Sequence, residues 1–310
     1  MQQKIVPCLW FDKDAEEAMN FYVSIFSKMQ PQADGSHIVS IKRYPNEVPR
    51  DFMKGMEGKV LTGIFQVAGQ RFMSLDGGPD FKFTPAISFF VMARSEDEVD
   101  RFWSALSDGG TVLMPLDRYP FSEKYGWTQD KYGVSWQIIL AQEPIAQRIV
   151  PSLLFVGEQA GRAEEAINFY AEVFGDAAVG DIARNGANQE PDREGTVAYA
   201  DFRLEGQQFA AMDSAQQHDF AFNEAISFQV ECETQAEVDS LWKKLSAVPE
   251  SEQCGWLKDK YGVSWQIVPK RLGELLDDPD PKKAGRVMDV MLDMKKIDVA
   301  QLEEAYRQSA

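Results

Sequence analysis

The side chains that most often carry chemistry are scarce in this sequence. There are three cysteines, Cys8, Cys232 and Cys254, and two histidines, His37 and His218. A nucleophilic cysteine needs a neighbouring base and surroundings that favour the thiolate, and no CxxC spacing indicates a metal or redox pair. Two histidines cannot build a site of three imidazoles. We therefore interpret the three cysteines as structural thiols.

Acidic residues offer a second route to chemistry. Asp76 and Asp213 end the apolar segments RFMSLD and QFAAMD, and either carboxylate could be a catalytic group. The glutamate pairs at 16–17 and 164–165 fall instead in the first turns of predicted helices, where the helix dipole stabilises negative charge. An enzyme that uses Asp76 or Asp213, or a group supplied by a partner, is therefore one open hypothesis.

The overall charge restricts the partners of the chain. Its 310 residues include 32 Lys and Arg against 49 Asp and Glu, a net charge of −17. Such a chain repels phosphate backbones and anionic lipid surfaces, and no apolar run reaches the length of a membrane span. The sequence shows neither a signal peptide nor a disulfide framework. We predict a cytoplasmic protein that binds neither nucleic acid nor membrane.

The elements that must position these side chains occur in two copies. Six segments recur in the same order, with offsets between 129 and 148 residues. The clearest pairs are KIVPCLWF at 4–11 with RIVPSLLF at 148–155, AEEAMNFY at 15–22 with AEEAINFY at 163–170, and GWTQDKYGVSWQII at 126–139 with GWLKDKYGVSWQIV at 255–268. We predict a tandem duplication, with modules at 1–143 and 147–270 and a helical tail at 271–310.

Periodicity within each module predicts two β-α-β-β-β-like units in an α+β fold. Apolar runs such as IVPCLWF are typical of strands, whereas the spacing of Ala15, Ala18, Met19 and Tyr22 places them on one face of a helix. Serine or threonine capping boxes precede the second helix of each module. The tail carries a Met-rich helical stripe, which predicts a surface that packs across the two modules or against a second chain.

These motifs resemble the PhnB-like branch of the vicinal oxygen chelate superfamily, which includes glyoxalase I, extradiol dioxygenases and drug-resistance proteins. The resemblance rests on LWFDKDAEEAMNFYVSIF, FKFTPAISFFV and YGWTQDKYGVSWQII and covers nearly all of 4–269. It implies paired βαβββ units, each pair curling a sheet into a cup. Members with one module commonly dimerise, so the two modules here could pair within one chain, and a homodimer is also possible.

The superfamily's metal enzymes carry their ligands on strands that face into the cup. The matching places here are Pro7 and Pro151, Ala86 and Ala225, and Gln137 and Gln266, with Met73, Ser74, Ala210 and Ala211 as candidates for the remaining place. Divalent metals prefer imidazole or carboxylate ligands, and these residues supply neither. We therefore predict no metal and no cofactor, which removes the basis for glyoxalase or dioxygenase chemistry.

Strand alternation suggests what the cups offer instead. If Pro7 and Pro151 face inward, Cys8 and Trp10 face the helices. The inward residues that we select as candidate ligand-binding positions are aromatic or carry a small polar group: Phe11, Ser88, Phe90, Gln137, Phe155, Ser227, Gln229 and Gln266. Such a cup suits an uncharged, partly aromatic small molecule. Phe90 opposite Gln229 in the alignment is the clearest difference between the two copies.

Three hypotheses for function follow. The first is a metal-independent protein that binds a small molecule, the second is the enzyme described above, and the third is a structural or regulatory protein that interacts through its acidic surface and Met-rich tail. Proteins that resemble this branch often carry the label 3-demethylubiquinone methyltransferase. That reaction needs S-adenosylmethionine, and the sequence has no G-x-G after a strand with an acidic residue placed beyond it to bind the ribose.

Overall fold

The structure is a computed structural model that describes residues 3–29, 35–46, 48, 50, 53–142 and 144–308. The predicted outer limits at residues 1, 143 and 310 lie outside these ranges. The strands are β1 (Ile5–Phe11), β2 (His37–Arg43), β3 (Val60–Val67), β4 (Gln70–Asp76), β5 (Ile87–Ala93), β6 (Thr111–Tyr119), β7 (Ser122–Gln129), β8 (Ser135–Leu140), β9 (Ile149–Phe155), β10 (Ala177–Arg184), β11 (Val197–Leu204), β12 (Gln207–Asp213), β13 (Ile226–Cys232), β14 (Trp256–Lys258) and β15 (Ser264–Pro269). The helices are α1 (Ala15–Met29), α2 (Glu96–Ser107), α3 (Ala163–Val173), α4 (Gln235–Leu245), α5 (Lys270–Leu276), α6 (Pro281–Leu292) and α7 (Val299–Arg307).

The strands form two mixed sheets, and each sheet draws one βαβββ unit from each module. The first sheet has the order β14-β15-β13-β1-β4-β3-β2, and the second has the order β10-β11-β12-β9-β5-β8-β7-β6. Antiparallel pairing of β1 with β13 and of β5 with β9 joins the modules. The predicted α+β duplication is confirmed, and its two copies pair within the chain.

A single hydrophobic core lies between the sheets and helices α1 to α4. Trp136 of β8 is buried there against Tyr22, Phe26 and Phe89. The buried carboxylate of Asp130 accepts hydrogen bonds from the Tyr22 hydroxyl and the Trp136 indole N–H, both at 2.8 Å. The second module repeats this arrangement around Trp265 and Asp259. The indole rings therefore serve core packing.

Helix capping shows where local sequence suffices and where it does not. Ser95 and Thr234 cap α2 and α4 through the predicted boxes, each accepting a hydrogen bond from a backbone N–H three residues on. Arg162 precedes α3 and supplies no cap. Asp213 of β12 replaces it, since its carboxylate accepts the Ala163 N–H at 3.0 Å. None of the described helices combines the length and the apolar character that a membrane span requires.

The tail helices α5 to α7 pack around their own small core, which includes Leu272, Val287, Ile297 and Leu302 and contacts Val268 of β15. The segment between α6 and α7 pairs with the chain before β14. The backbone N–H groups of 254 and 255 donate to the carbonyls of 294 and 295, both at 2.7 Å. In the second sheet, strand β6 pairs with the corresponding segment of β7. The tail therefore occupies an edge position that a strand fills in the other sheet.

Candidate functional site

In each sheet, the face opposite helices α1 to α4 is concave. Phe90 of β5 and Tyr199 of β11 have ring centroids 6.0 Å apart, although β9 and β12 lie between their strands. Trp10 of β1 and Trp256 of β14 meet at 5.9 Å in the same way. Strands three steps apart in a flat sheet would be separated by about 14 Å. Both sheets therefore curl away from their helices.

We name the two concave faces by their sheets. The first cup is the face of the first sheet opposite α1 to α4, around Val6, Cys8, Met73, Ser227 and Gln266. The second cup is the helix-free face of the second sheet, around Ser88, Phe90, Gln137, Val150, Ser152 and Ala210. Ser88, Phe90 and Gln137 thus lie together in the second cup. Ser227, Gln229 and Gln266 lie on the neighbouring strands of the first.

The expected orientation of β1 and β9 is wrong. Phe11 lies in the core on the helix side, where it packs against Phe83 and Tyr132. Phe155 likewise packs against Phe222 and Tyr261. Both strands carry apolar residues on both faces, so alternation alone could not select the inward side. The cup face of β1 carries Cys8, and that of β9 carries Ser152; the prolines at 7 and 151 point the other way.

A polar network forms the floor of the second cup. The Tyr125 hydroxyl donates to Gln137 Oε1 at 2.6 Å, and Gln137 Nε2 donates to Ser88 Oγ at 2.8 Å. Beside it, the Trp127 indole N–H donates to Ser135 Oγ at 2.7 Å. Burial raises the pKa of Tyr125 well above its ordinary value, so its hydroxyl stays a hydrogen-bond donor. These groups are neutral.

Ser152 is the incomplete part of this floor. It is directly opposite Ser88 in the antiparallel pair of β5 and β9, and its side chain is 0% exposed. Its hydroxyl has no hydrogen-bond partner among the residues that the structure describes. A buried hydroxyl without a partner costs about 1–3 kcal/mol. This position can therefore gain from a polar atom that enters the cup.

The walls of the second cup are aromatic and rich in methionine. Phe90, Val150 and Ala210 are buried beside the floor, and the partly exposed side chains around them are Met92, Met114, Tyr119, Trp127, Ile139 and Met212. At the rim, Tyr199 is 38% exposed and Phe121 at the β6–β7 turn is 63% exposed. Exposed aromatic side chains around a concave face are typical of binding surfaces.

The first cup contains the same Gln–Ser hydrogen bond as the second, but different side chains surround it. Gln266 Nε2 donates to Ser227 Oγ at 2.9 Å, as Gln137 does to Ser88. Cys254 stands where the other copy has Tyr125, and its thiol contacts the Leu292 carbonyl of the tail at 3.6 Å. Burial raises the pKa of Cys8 to about 12, so this thiol is not a nucleophile at neutral pH.

The tail spans the first cup from edge to edge. At the β14–β15 edge it packs on Val268 and binds the segment before β14. At the opposite edge, Lys42 of β2 forms an ion pair with Asp277, and Arg50 after β2 forms one with Asp293 at 2.8 Å. The tail therefore contacts both modules, as one of the two sequence-based alternatives predicts, and it reaches both edges of the first cup.

Neither floor suits the metal that the resemblance implies. With the observed orientation, the central inward positions are Cys8, Met73, Ser227 and Gln266 in the first cup and Ser152, Ala210, Ser88 and Gln137 in the second. These sets contain no imidazole or carboxylate, the ligands that hard and borderline divalent metals prefer. Among the described residues, no three His, Cys, Asp or Glu side chains are grouped to hold an ion.

Asp76 and Asp213 lie on the other side of their sheets. Asp76 accepts the backbone N–H groups of Ala15 and Val60 at 2.9 and 2.8 Å, and Asp213 accepts those of Ala163 and Val197 at 3.0 Å each. Burial raises the pKa of both carboxyl groups. They tie the start of a helix to the start of a strand.

The residues that sequence reasoning missed are Tyr125, Ser152 and Tyr199. Ser152 was hidden by the wrong orientation of β9. Tyr125 aligns with Cys254, so a difference between the copies could have signalled it. Tyr199 lies on β11, where the sequence match between the copies is weak and gave no register.

Comparisons with known proteins agree with the duplication. The family model described as 3-demethylubiquinone-9 3-methyltransferase matches the chain twice, at residues 3–139 and 147–268. A comparison with curated proteins finds no match.

Two solved structures illustrate the similarity. A putative 3-demethylubiquinone-9 3-methyltransferase, PhnB protein, from Bacillus cereus is 48% identical, with 45% of this chain and 100% of that chain covered and a TM-score of 0.40. Glyoxalase I from Zea mays is 11% identical, with 84% of this chain and 89% of that chain covered and a TM-score of 0.49. Since the family model accounts for most of the sequence in two copies, this chain belongs to the 3-demethylubiquinone-9 3-methyltransferase family.

Proposed function

We propose that this protein binds an uncharged small organic molecule in the second cup. The observation that carries the proposal is the buried Ser152 hydroxyl, which has no partner among the described residues and lies beneath aromatic walls. In this proposal the modules at 1–143 and 147–270 act as one unit, and the tail at 271–310 covers the first cup. Ser88, Phe90 and Gln137 contact the ligand.

The energetics of the second cup support binding. Apolar surface that leaves water contributes about 25 cal/mol per Å², and the aromatic and methionine side chains of the walls supply such surface. A polar atom that reaches Ser152 recovers part of the cost of its unpaired hydroxyl. The floor carries hydroxyl and amide groups and no charge, so a neutral ligand loses less on desolvation than an ion would.

Binding of this kind needs neither a metal nor a cofactor, and we propose a metal-independent mode. The family description names a methyltransferase, an activity that we do not extend to this chain because the helix N-termini after β1 and β9 are occupied by Asp76 and Asp213. All three cysteines are free, which fits the reducing cytoplasm that we propose as its location.

In the first cup, Ser227, Gln229 and Gln266 have a structural role in this proposal. The Gln266–Ser227 hydrogen bond joins β15 to β13, and the tail covers the face that would receive a ligand. The two cups therefore differ in function although their floors share a pattern.

Native mass spectrometry against a library of uncharged aromatic compounds tests the proposal. The wild-type protein should form adducts, and Ala210→Met should lose them, because it gives the second cup the larger side chain that Met73 provides in the first. Met73→Ala, the reverse change in the covered cup, is the matched control and should keep the adducts. Circular dichroism would verify that both variants fold. The proposal fails if no adduct forms or if Ala210→Met binds as well as the wild type does.

A further inference from the structure

We infer that the ligand of the second cup is a planar aromatic carbonyl compound, whose carbonyl oxygen accepts hydrogen bonds from Ser88 and Ser152. This inference rests on the proposed function. It adds the chemical class of the ligand and the direction of its hydrogen bonds, in which the protein donates and the ligand accepts.

The direction of the floor network identifies the missing partner as an acceptor. Tyr125 uses its hydrogen on Gln137 Oε1, and Gln137 Nε2 uses one of its hydrogens on Ser88 Oγ. Ser88 Oγ is thus already an acceptor, while its own O–H has no acceptor within the described part of the chain. A serine hydroxyl carries one donor and two acceptor sites. The network therefore ends in a hydroxyl donor on the cup face of β5 that has no acceptor among the described residues.

Ser152 supplies a second donor beside the first. Ser88 and Ser152 are directly opposite each other on antiparallel strands, and the next pair towards the C-terminus of β5 contains Pro151. Because Pro151 has no N–H, the Ser88–Ser152 pair is the hydrogen-bonded type, with Cα atoms about 5.5 Å apart. Two hydroxyls at this spacing on one face can both donate to a single oxygen, since a carbonyl oxygen has two lone pairs.

The walls above the floor indicate a flat ring. Phe90 and Tyr199 meet edge to face, at an interplanar angle of 85°, across the concave face. Burial raises the pKa of Tyr199 to about 12, so its ring also stays neutral. Aromatic side chains favour stacked or edge-to-face partners. A planar ring between Phe90 and Tyr199 would replace their mutual contact and place a ring substituent towards Ala210 and the two serines.

The covered first cup lacks each of these features. Gln229 stands in place of Phe90, Cys254 in place of Tyr125, and Cys8 in place of Ser152. The Cys8 thiol is a weaker hydrogen-bond donor than the Ser152 hydroxyl, and no tyrosine hydroxyl donates to Gln266 as Tyr125 does to Gln137. The inference therefore applies to one cup and predicts a ligand stoichiometry of one per chain.

Matched probes with and without the carbonyl test the inference. We would titrate the full chain with 1-indanone and with indane, which share a bicyclic skeleton, and follow both by ligand-observed NMR. One-to-one binding with about tenfold tighter affinity for 1-indanone is the expected result. Ser152→Ala should reduce this preference, because only Ser88 remains as a donor, and should leave indane affinity unchanged. Ser227→Ala in the first cup is the matched control and should keep the preference.

Infrared spectroscopy of bound 1-indanone gives an independent readout. Hydrogen bonds from the serines should lower the carbonyl stretching frequency in the wild type, and Ser152→Ala should raise it towards the value in an apolar solvent. Equal binding of the two probes would overturn the carbonyl assignment while the proposed binding function stands. A preference that survives both Ser152→Ala and Ser88→Ala would overturn the assigned donors. If neither probe binds the wild type, both the inference and the proposed function fail for this class.

Discussion

The first and second cups come from the same duplicated sequence, yet only one of them is covered. Both keep the Gln–Ser hydrogen bond that joins the last strand of a unit to its first, at 2.9 Å in one and 2.8 Å in the other. They differ at the positions around it, where Phe90 corresponds to Gln229 and Tyr125 to Cys254. The shared bond is thus a property of the scaffold, and the surrounding side chains distinguish the two surfaces.

The edge of each sheet explains how one cup became covered. In the second sheet β6 completes the edge and ends in an exposed turn at Phe121. In the first sheet the segment between α6 and α7 takes over that edge through the carbonyls of 294 and 295. An edge with unpaired N–H groups invites pairing. Filling it from the C-terminus brings α5 to α7 over the adjacent concave face.

The largest expected difference between the cups concerns access to Cys8. Its pKa of about 12, against an ordinary value of 9.0, makes the thiolate about a thousand times rarer at pH 8 than in a free thiol. We expect alkylation of Cys8 to be slower by at least about that factor, as measured by mass spectrometric mapping. Phe121→Cys, on the exposed rim of the second cup, should react like a free thiol. Equal rates would show that the tail leaves the first cup open.

The next effect concerns the tail itself. Ile297 is fully buried in the tail core and packs near Gly255, so Ile297→Ala should cost about 2–5 kcal/mol of unfolding free energy. Val112 lies on β6, the edge strand that the tail replaces, and is 50% exposed. Val112→Ala is the matched control and should change stability by less than about 0.5 kcal/mol. Chemical denaturation measures both; a neutral Ile297→Ala would mean that the tail is not part of the folded unit.

The sequence alone predicted the parts of the fold that are decided locally. The duplication, the helix faces and the caps at Ser95 and Thr234 follow from spacing and residue type. Pairing across the modules does not, because β1 and β9 are apolar on both faces and can accept several partners. The cap of α3 could not be predicted either, because the capping residue Asp213 lies on a strand 50 residues further along the chain.

The residues of the candidate site were also predicted only in part, because the inward face of some strands cannot be read from the sequence. Positions on β5 and β8, such as Ser88 and Gln137, were placed on the inward face because the resemblance aligns the superfamily's ligand places with Ala86 and Gln137, and strand alternation sets their neighbours. Phe11 and Phe155 were misplaced because the same alignment set Pro7 and Pro151 inward, one residue away from the observed inward positions Cys8 and Ser152. The covering of one cup depends on the tail, whose partner surface no local pattern specifies.

Titration of Asp130 would test what the two halves share. Burial raises the pKa of Asp130 to about 6, against the opposing effect of its hydrogen bonds. In the unfolded chain this carboxyl ionises near 3.8, so it favours folding at low pH and loses that contribution as the pH rises towards 6. The stability of the wild type relative to Asp130→Asn should therefore fall by up to about 3 kcal/mol from pH 4 to pH 7.

Asp259 provides the internal comparison for this titration. Burial also raises its pKa, and its partners Tyr170 and Trp265 match those of Asp130. Asp259→Asn should therefore show a pH dependence of the same sign in denaturation curves. A flat pH profile in both variants would mean that the buried carboxylates stay ionised and that their hydrogen bonds outweigh burial.

The smallest expected effect tests the difference at Phe90 and Gln229. Phe90→Gln removes the aromatic ring that the proposed planar ligand contacts, an interaction of about 0.5–1.5 kcal/mol, together with apolar wall area. We expect the affinity of the second cup for 1-indanone to fall about tenfold. Gln229→Phe makes the first cup resemble the second but leaves the tail in place, so it should create no new binding. If Gln229→Phe alone yields a second bound ligand per chain, composition rather than the tail separates the two cups.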